Sequence, residues 1–137
     1  MTVDIGERIA VMSKPTHQDA LVLLAYKQWR SVIGYADAMD FVWSDKCPSN
    51  YDEYKDQVVG KPEEKLTRIY ADVHETIGSL YRHDLIHLDL LMDLETYVAD
   101  WERTKDIITG YREANELPSF MQNFEALVEA EKAYRAP

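Results

Sequence analysis

Three of the four histidines fall between residues 74 and 87, interleaved with carboxylates. Asp72, His74 and Glu75 come first, then the run His83-Asp84-Leu85-Ile86-His87-Leu88-Asp89. Imidazole and carboxylate are common ligands of divalent metals, and two histidines four apart share one face of a helix. One reading is therefore a metal-dependent helical-bundle enzyme that uses the cluster at 72–89, with His74, His83, Asp84 and His87 as candidate metal ligands. The spacing does not match the known metal motifs. Di-iron bundles need Glu-x-x-His on two helices, and the nearest match is a single Asp84-Leu85-Ile86-His87. The zinc-protease pattern fails because no histidine follows His74-Glu75 at the required step.

The same residues also suit a helix end. Leu80-Tyr81 closes one apolar face and Leu85-Ile86 opens the next, which makes His83 and Asp84 turn residues and Asp84 a helix cap. On that reading no catalytic, cofactor-binding or metal residue stands out, and no cofactor is expected. The single cysteine, Cys47, lies in Asp45-Lys46-Cys47-Pro48 and reads as a loop thiol. No phosphate loop, nucleophile elbow or dinucleotide fingerprint is present, and there are only five glycines to build one.

The elements that would carry these residues are all helical. At 137 residues and 46% hydrophobic, the chain is expected to form one domain with its own core. Asp4 caps a short N-terminal helix, with Ile5, Ile9 and Met12 on one face, inside an arm of residues 1–14. Thr16-His17-Gln18-Asp19 reads as a capping box opening a helix over 16–43. Its seam is Ala25, Trp29, Val32, Ala36, Met39 and Trp43, and this spacing predicts a core face. Ser49 or Asn50 caps a short connecting helix that Gly60 stops.

A helix over 62–81 buries Leu66, Ile69, Tyr70, Val73, Ile77 and Leu80, with Gly78 placed for close packing. A long helix over 86–115 carries Leu91, Leu94, Val98, Trp101 and Ile108, with a kink expected near Gly110. After Glu116-Leu117-Pro118, a last helix over 119–134 presents Phe120, Phe124, Leu127 and Tyr134. The expected fold is all-α, an antiparallel helical bundle of four main helices plus short N-terminal and connecting helices.

Ile77-Gly78-Ser79-Leu80-Tyr81 with Leu85-Ile86, then Trp101-Glu102, Ile107-Ile108, Tyr111-Arg112, and Phe120 with Asn123-Phe124-Glu125, resemble a family of prokaryotic helical domains of unknown function. The similarity spans about residues 69–128. It implies an all-helical fold and brings no activity. It also implies structural roles for Trp101, Tyr111, Arg112 and Phe124, with Arg112 bonded to an acidic group or to helix-end carbonyls.

The net charge of −10 repels phosphate backbones and anionic lipid surfaces, so neither nucleic acid nor a membrane is an expected partner. The first residues lack a signal peptide's basic and apolar regions, and no run has the length of a membrane span. These features, with the lone thiol, lead to a cytoplasmic protein. The leading expectation is a non-catalytic protein-interaction or regulatory module, with a protein partner or self-association. The remaining alternative is a small-ligand binder in an aromatic interior that includes Trp29, Trp43 and Trp101.

Overall fold

A computed structural model describes residues 14–137, which form seven helices and no strand among them. In chain order these are α1 (His17–Val32), α2 (Tyr35–Val42), α3 (Tyr51–Gln57), α4 (Glu64–Arg82), α5 (Leu88–Leu94), α6 (Val98–Asn115) and α7 (Gln122–Arg135). The expected helix over Ile5 to Met12 lies outside the described residues. Two of the four expected main helices, now α4 and α7, form as single helices close to their expected ranges. The other two are each divided.

The helix expected over 16–43 stops at Val32 and restarts at Tyr35. Gly34 sits between them at φ +94°, a left-handed conformation that glycine adopts without steric cost. The N-terminal cap is as expected: Thr16 N donates to Asp19 Oδ2 at 2.7 Å, and Asp19 N donates to Thr16 Oγ1 at 3.3 Å. The seam is not. Ala25, Trp29, Val32, Ala36, Met39 and Trp43 are all exposed, while Leu23, Tyr26, Ala38 and Val42 are buried. The inward face is turned because it includes Arg30. This guanidinium lies over the rings of Tyr26 and Tyr35 at 5.1 and 5.2 Å and bonds to Glu95 Oε1 at 3.0 Å. A paired arginine can bury its stem, so its charge does not place it outside.

The helix expected over 86–115 divides at Glu95–Tyr97, and α6 continues through Gly110 without a break. The break has a physical cause. Glu131 of α7 is only 1% exposed, and it accepts from Tyr97 N at 2.6 Å, Val98 N at 3.0 Å and Thr96 Oγ1 at 2.8 Å. The first turn of a helix has amide groups without intrahelical partners, and this carboxylate satisfies two of them from another helix. Gly110 has a different role from the one expected: a Cβ there would overlap Tyr51 of α3.

The main core joins α4, α6 and α7 through Val73, Ile77, Trp101, Ile108, Phe124, Leu127 and Val128, with Leu23 and Tyr26 of α1 added at one side. A smaller cluster of Ala38, Val42 and Tyr70 fixes α2 to α4. Gly78 allows α4 to approach α7 closely, because a Cβ there would overlap the backbone of Asn123.

Candidate functional site

The expected metal candidates do not come together. His74 is 1% exposed inside α4. Its Nδ1 lies 2.8 Å from the Tyr70 carbonyl and its Nε2 3.0 Å from Asp100 Oδ2. Both ring nitrogens therefore face oxygens of the protein, and neither is turned toward a metal. The ring packs between Tyr70 and Phe124, with centroids 4.3 and 4.7 Å away. His83 ends α4 with Nδ1 2.9 Å from the Ser79 carbonyl. His87 is the N-cap of α5, and its Nδ1 accepts from Asp89 N at 3.1 Å. Asp84 caps no helix start. It takes a left-handed backbone, φ +57°, in a closing turn where Leu85 N bonds to the Leu80 carbonyl and Asp84 N to that of Tyr81. Among the described residues, no three histidine, cysteine or carboxylate side chains are placed to hold a metal ion.

His74 instead belongs to the wall of a cavity of about 570 Å³ between α3, α4 and α6, with Cys47 of the loop over 44–50 also in its lining. Six aromatic side chains face it: Tyr51, Tyr54, Tyr70, Tyr111, Phe120 and Phe124. Of the three tryptophans expected in an aromatic interior, only Trp101 is buried, and it packs edge-on against Phe124 without lining the cavity. Trp29 and Trp43 are on the surface.

Several buried polar groups of the cavity wall are held by partners within the protein. Thr67 donates its hydroxyl proton to the Glu64 carbonyl at 2.8 Å, so Tyr54 is the donor in the 2.6 Å contact with Thr67 Oγ1. Trp43 Nε1 donates to the Tyr70 hydroxyl at 3.2 Å. Burial, then the neighbouring Asp100 carboxylate, push the Tyr70 phenol far above its usual range. Burial also raises the Cys47 thiol more than Arg103 lowers it, the direction that disfavours the reactive thiolate. Arg103 holds the loop at this end through the Cys47 carbonyl at 2.7 Å.

A second candidate surface lies outside the core. On α1, Leu21 and Leu24 are each 63% exposed and Val32 is 79% exposed, with Ala25 and Trp29 between them on the same face. On α2, Met39 and Trp43 are exposed as well.

Sequence reasoning missed the carboxylates that fix the fold. Glu75 accepts from Phe124 N at 2.8 Å and Asn123 Nδ2 at 3.1 Å, capping the start of α7, as Glu131 caps the start of α6. Spacing held the signal in both cases. Glu131 follows buried Leu127 and Val128 by four and three, and Glu75 precedes buried Gly78 by three. The structural role implied for Arg112 is present: its Nε donates to the Phe120 carbonyl at 2.7 Å, and it pairs with Glu125 at 3.0 Å.

No helix among the described residues is long and apolar enough to cross a membrane. No curated protein and no solved structure matches the chain. A family model described as a domain of unknown function, DUF4760, matches residues 15–130. That match takes in all seven described helices except the last turn of α7, and the chain belongs to the DUF4760 family.

Proposed function

We propose that this chain is a non-catalytic, cytoplasmic protein-interaction module that pairs with a second copy of itself through the outer face of α1. The observation that carries the proposal is the exposed row Leu21, Leu24, Ala25, Trp29 and Val32. These side chains leave on the order of 450 Å² of apolar surface in solvent, within the roughly 300–600 Å² of a monomer's largest patch, which is often functional.

Two further features favour a second copy over an unrelated partner. The seam Leu21, Ala25, Gln28, Val32 has steps of four, three and four, which read the same in both directions. An antiparallel two-fold pair sets Leu21 against Val32 and Leu24 against Trp29, as an isologous interface requires. The charge is also suited to it. The chain carries −10, yet α1 holds one acidic residue, Asp19, against Lys27 and Arg30. Both cations lean on Glu95, at 3.8 and 3.0 Å, and no carboxylate stands among Leu21, Leu24, Ala25, Trp29 and Val32, so two acidic molecules meet there with little local repulsion. Two such patches supply about 900 Å², and a polar rim around them would bring the pair to the standard range of about 1,200–2,000 Å².

The test is sedimentation equilibrium on the full chain up to about 100 µM, where even a Kd of about 10 µM populates the dimer. Dimer is expected for the wild type, and monomer for Leu24→Lys and for Val32→Lys with unchanged helical circular dichroism. A wild type that stays monomeric throughout overturns the proposal. So does a dimer that both lysine variants leave intact.

A further inference from the structure

The cavity between α3, α4 and α6 is independent of the α1 face and has its own chemistry. Its volume, about 570 Å³, lies within the range of small-molecule sites, roughly 300–1,000 Å³. Its deeper walls offer a polar guest little, because the buried groups of Tyr54, Tyr70, His74 and Thr104 already have partners; only the half-exposed Tyr51 and Tyr111 bring hydroxyls that bond to no other described residue. Tyr54 is bonded to Thr67, Tyr70 to Trp43, and His74 at both nitrogens; Thr104 Oγ1 donates to the Asp100 carbonyl at 2.8 Å. Among the described residues, the buried side-chain polar atoms without a partner are Tyr97 Oη and Arg112 Nη2, and neither residue lines the cavity.

A charged guest fares no better. Lys55 and Arg68 at the mouth are offset by Glu64 and Asp72, and Arg68 already meets Glu64 at 3.3 Å. What remains is aromatic surface presented from several directions. Tyr51 and Tyr54 come from α3, Tyr70 from α4, Tyr111 from α6 and Phe124 from α7. Rings set at different angles offer both faces and edges to a planar guest, and aromatic contacts favour offset and edge-to-face geometry.

We infer that this cavity is a binding site for an uncharged, planar aromatic molecule of two or three rings. Binding removes apolar surface from water on both sides, and Tyr54, Tyr70 and His74 keep their existing partners.

The experiment titrates the full chain with N-phenyl-1-naphthylamine, a neutral aromatic fluorophore. The expected result is saturable enhancement at one probe per chain. Ala71→Trp, which fills the cavity from α4, and Ile107→Trp, which fills it from α6, are each expected to weaken binding by roughly tenfold or more. Both are to be compared at matched helical content, so a folding defect in one leaves the other informative. Leu24→Lys is expected to bind as the wild type does. Absence of saturable binding overturns the inference, as does binding unchanged in a folded filled variant. Loss of binding in Leu24→Lys places the probe on the outer face of α1 and also overturns it.

Discussion

The two sides of α6 are built by different means. On one side, α7 meets α6 and α4 around carboxylates: Glu131 caps the start of α6, and Glu75 caps the start of α7. Asn123 is held there from both directions, donating to Glu75 and accepting from Arg82 Nη1 at 2.8 Å. On the other side, the seven-residue α3 meets α6 through tyrosines and leaves the 570 Å³ cavity. Buried polar groups need partners at fixed positions, so they enforce close contact. Aromatic rings need only surface, and a short helix carrying them can rest further out. The first side is therefore expected to hold the fold, and the second to tolerate change.

The largest expected effect is at Glu131. Glu131→Ala removes the acceptor for two amides, the Thr96 hydroxyl and Arg135 Nε at 2.8 Å, and leaves the amides buried without partners. Loss of one partner from a buried charged network costs about 3–5 kcal/mol. The matched change on the cavity side, Tyr54→Phe, removes one bond to Thr67 and is expected to cost about 1 kcal/mol. Urea unfolding of both variants measures the difference. Equal losses would break the contrast between the two sides.

The two close-packed glycines give a second comparison. At Gly78 an added methyl meets the backbone of Asn123, at the start of a helix held by Glu75 and Arg82. At Gly110 it meets Tyr51, on a helix whose buried side chain is Tyr54 alone. Gly78→Ala is expected to cost about 2–3 kcal/mol as an overpacked core site. Gly110→Ala is expected to cost less, because α3 can move outward and widen the cavity. It should also raise the affinity for a bulkier aromatic probe, whereas Gly78→Ala should not.

Acid sharpens the same contrast. Burial raises the Glu131 carboxyl, but the hydrogen bonds from Arg135, Tyr97 N, Thr96 and Val98 N outweigh it, and the group titrates below its ordinary value of 4.5. A carboxyl with a lower value in the folded state stabilises fully above its unfolded value and loses that contribution as pH falls through the folded one. Thermal stability of the wild type is therefore expected to fall as pH drops below about 4.5. Glu131→Gln should start lower and show a shallower acid limb. An unchanged slope would mean that other carboxylates carry the acid sensitivity.

Much of the first side was legible in the sequence. The stripe Tyr70, Val73 and Ile77, the close-packing role of Gly78 and the core roles of Phe124 and Leu127 all follow from helical spacing. Spacing failed where a polar residue turned inward. Arg30 is internal because Glu95 meets it from 65 residues away, and that pairing turned α1 so that Leu21, Leu24 and Val32 face out. Periodicity sorts residues by type and carries no information on long-range partners. The break before α6 had the same origin, since it depends on Glu131 far along the chain. The cavity had no local signal, because a void is set by how helices meet rather than by any one of them.

The smallest expected effect is at two helix ends. Asp84 closes α4 and Glu116 closes α6, at φ +57° and +52°, each followed by a residue whose amide bonds back five positions. A side chain in this conformation costs roughly 1–2 kcal/mol, while glycine returns about 0.4–1 kcal/mol of that as freedom in the unfolded chain. Each carboxylate also sits at the negative end of its helix dipole. Asp84→Gly and Glu116→Gly are therefore each expected to stabilise by about 0.5 kcal/mol. Their difference tests the contrast between the two sides. If the domain unfolds as one unit, urea midpoints rise equally for both. If the side bearing the cavity opens first, the gain from Glu116→Gly appears only in hydrogen exchange of α6's last turn. Asp84→Gly, on the helix held by Glu75 and Gly78, should still raise the global midpoint. Equal global gains would show that the cavity lies within the cooperative core rather than at a loose edge.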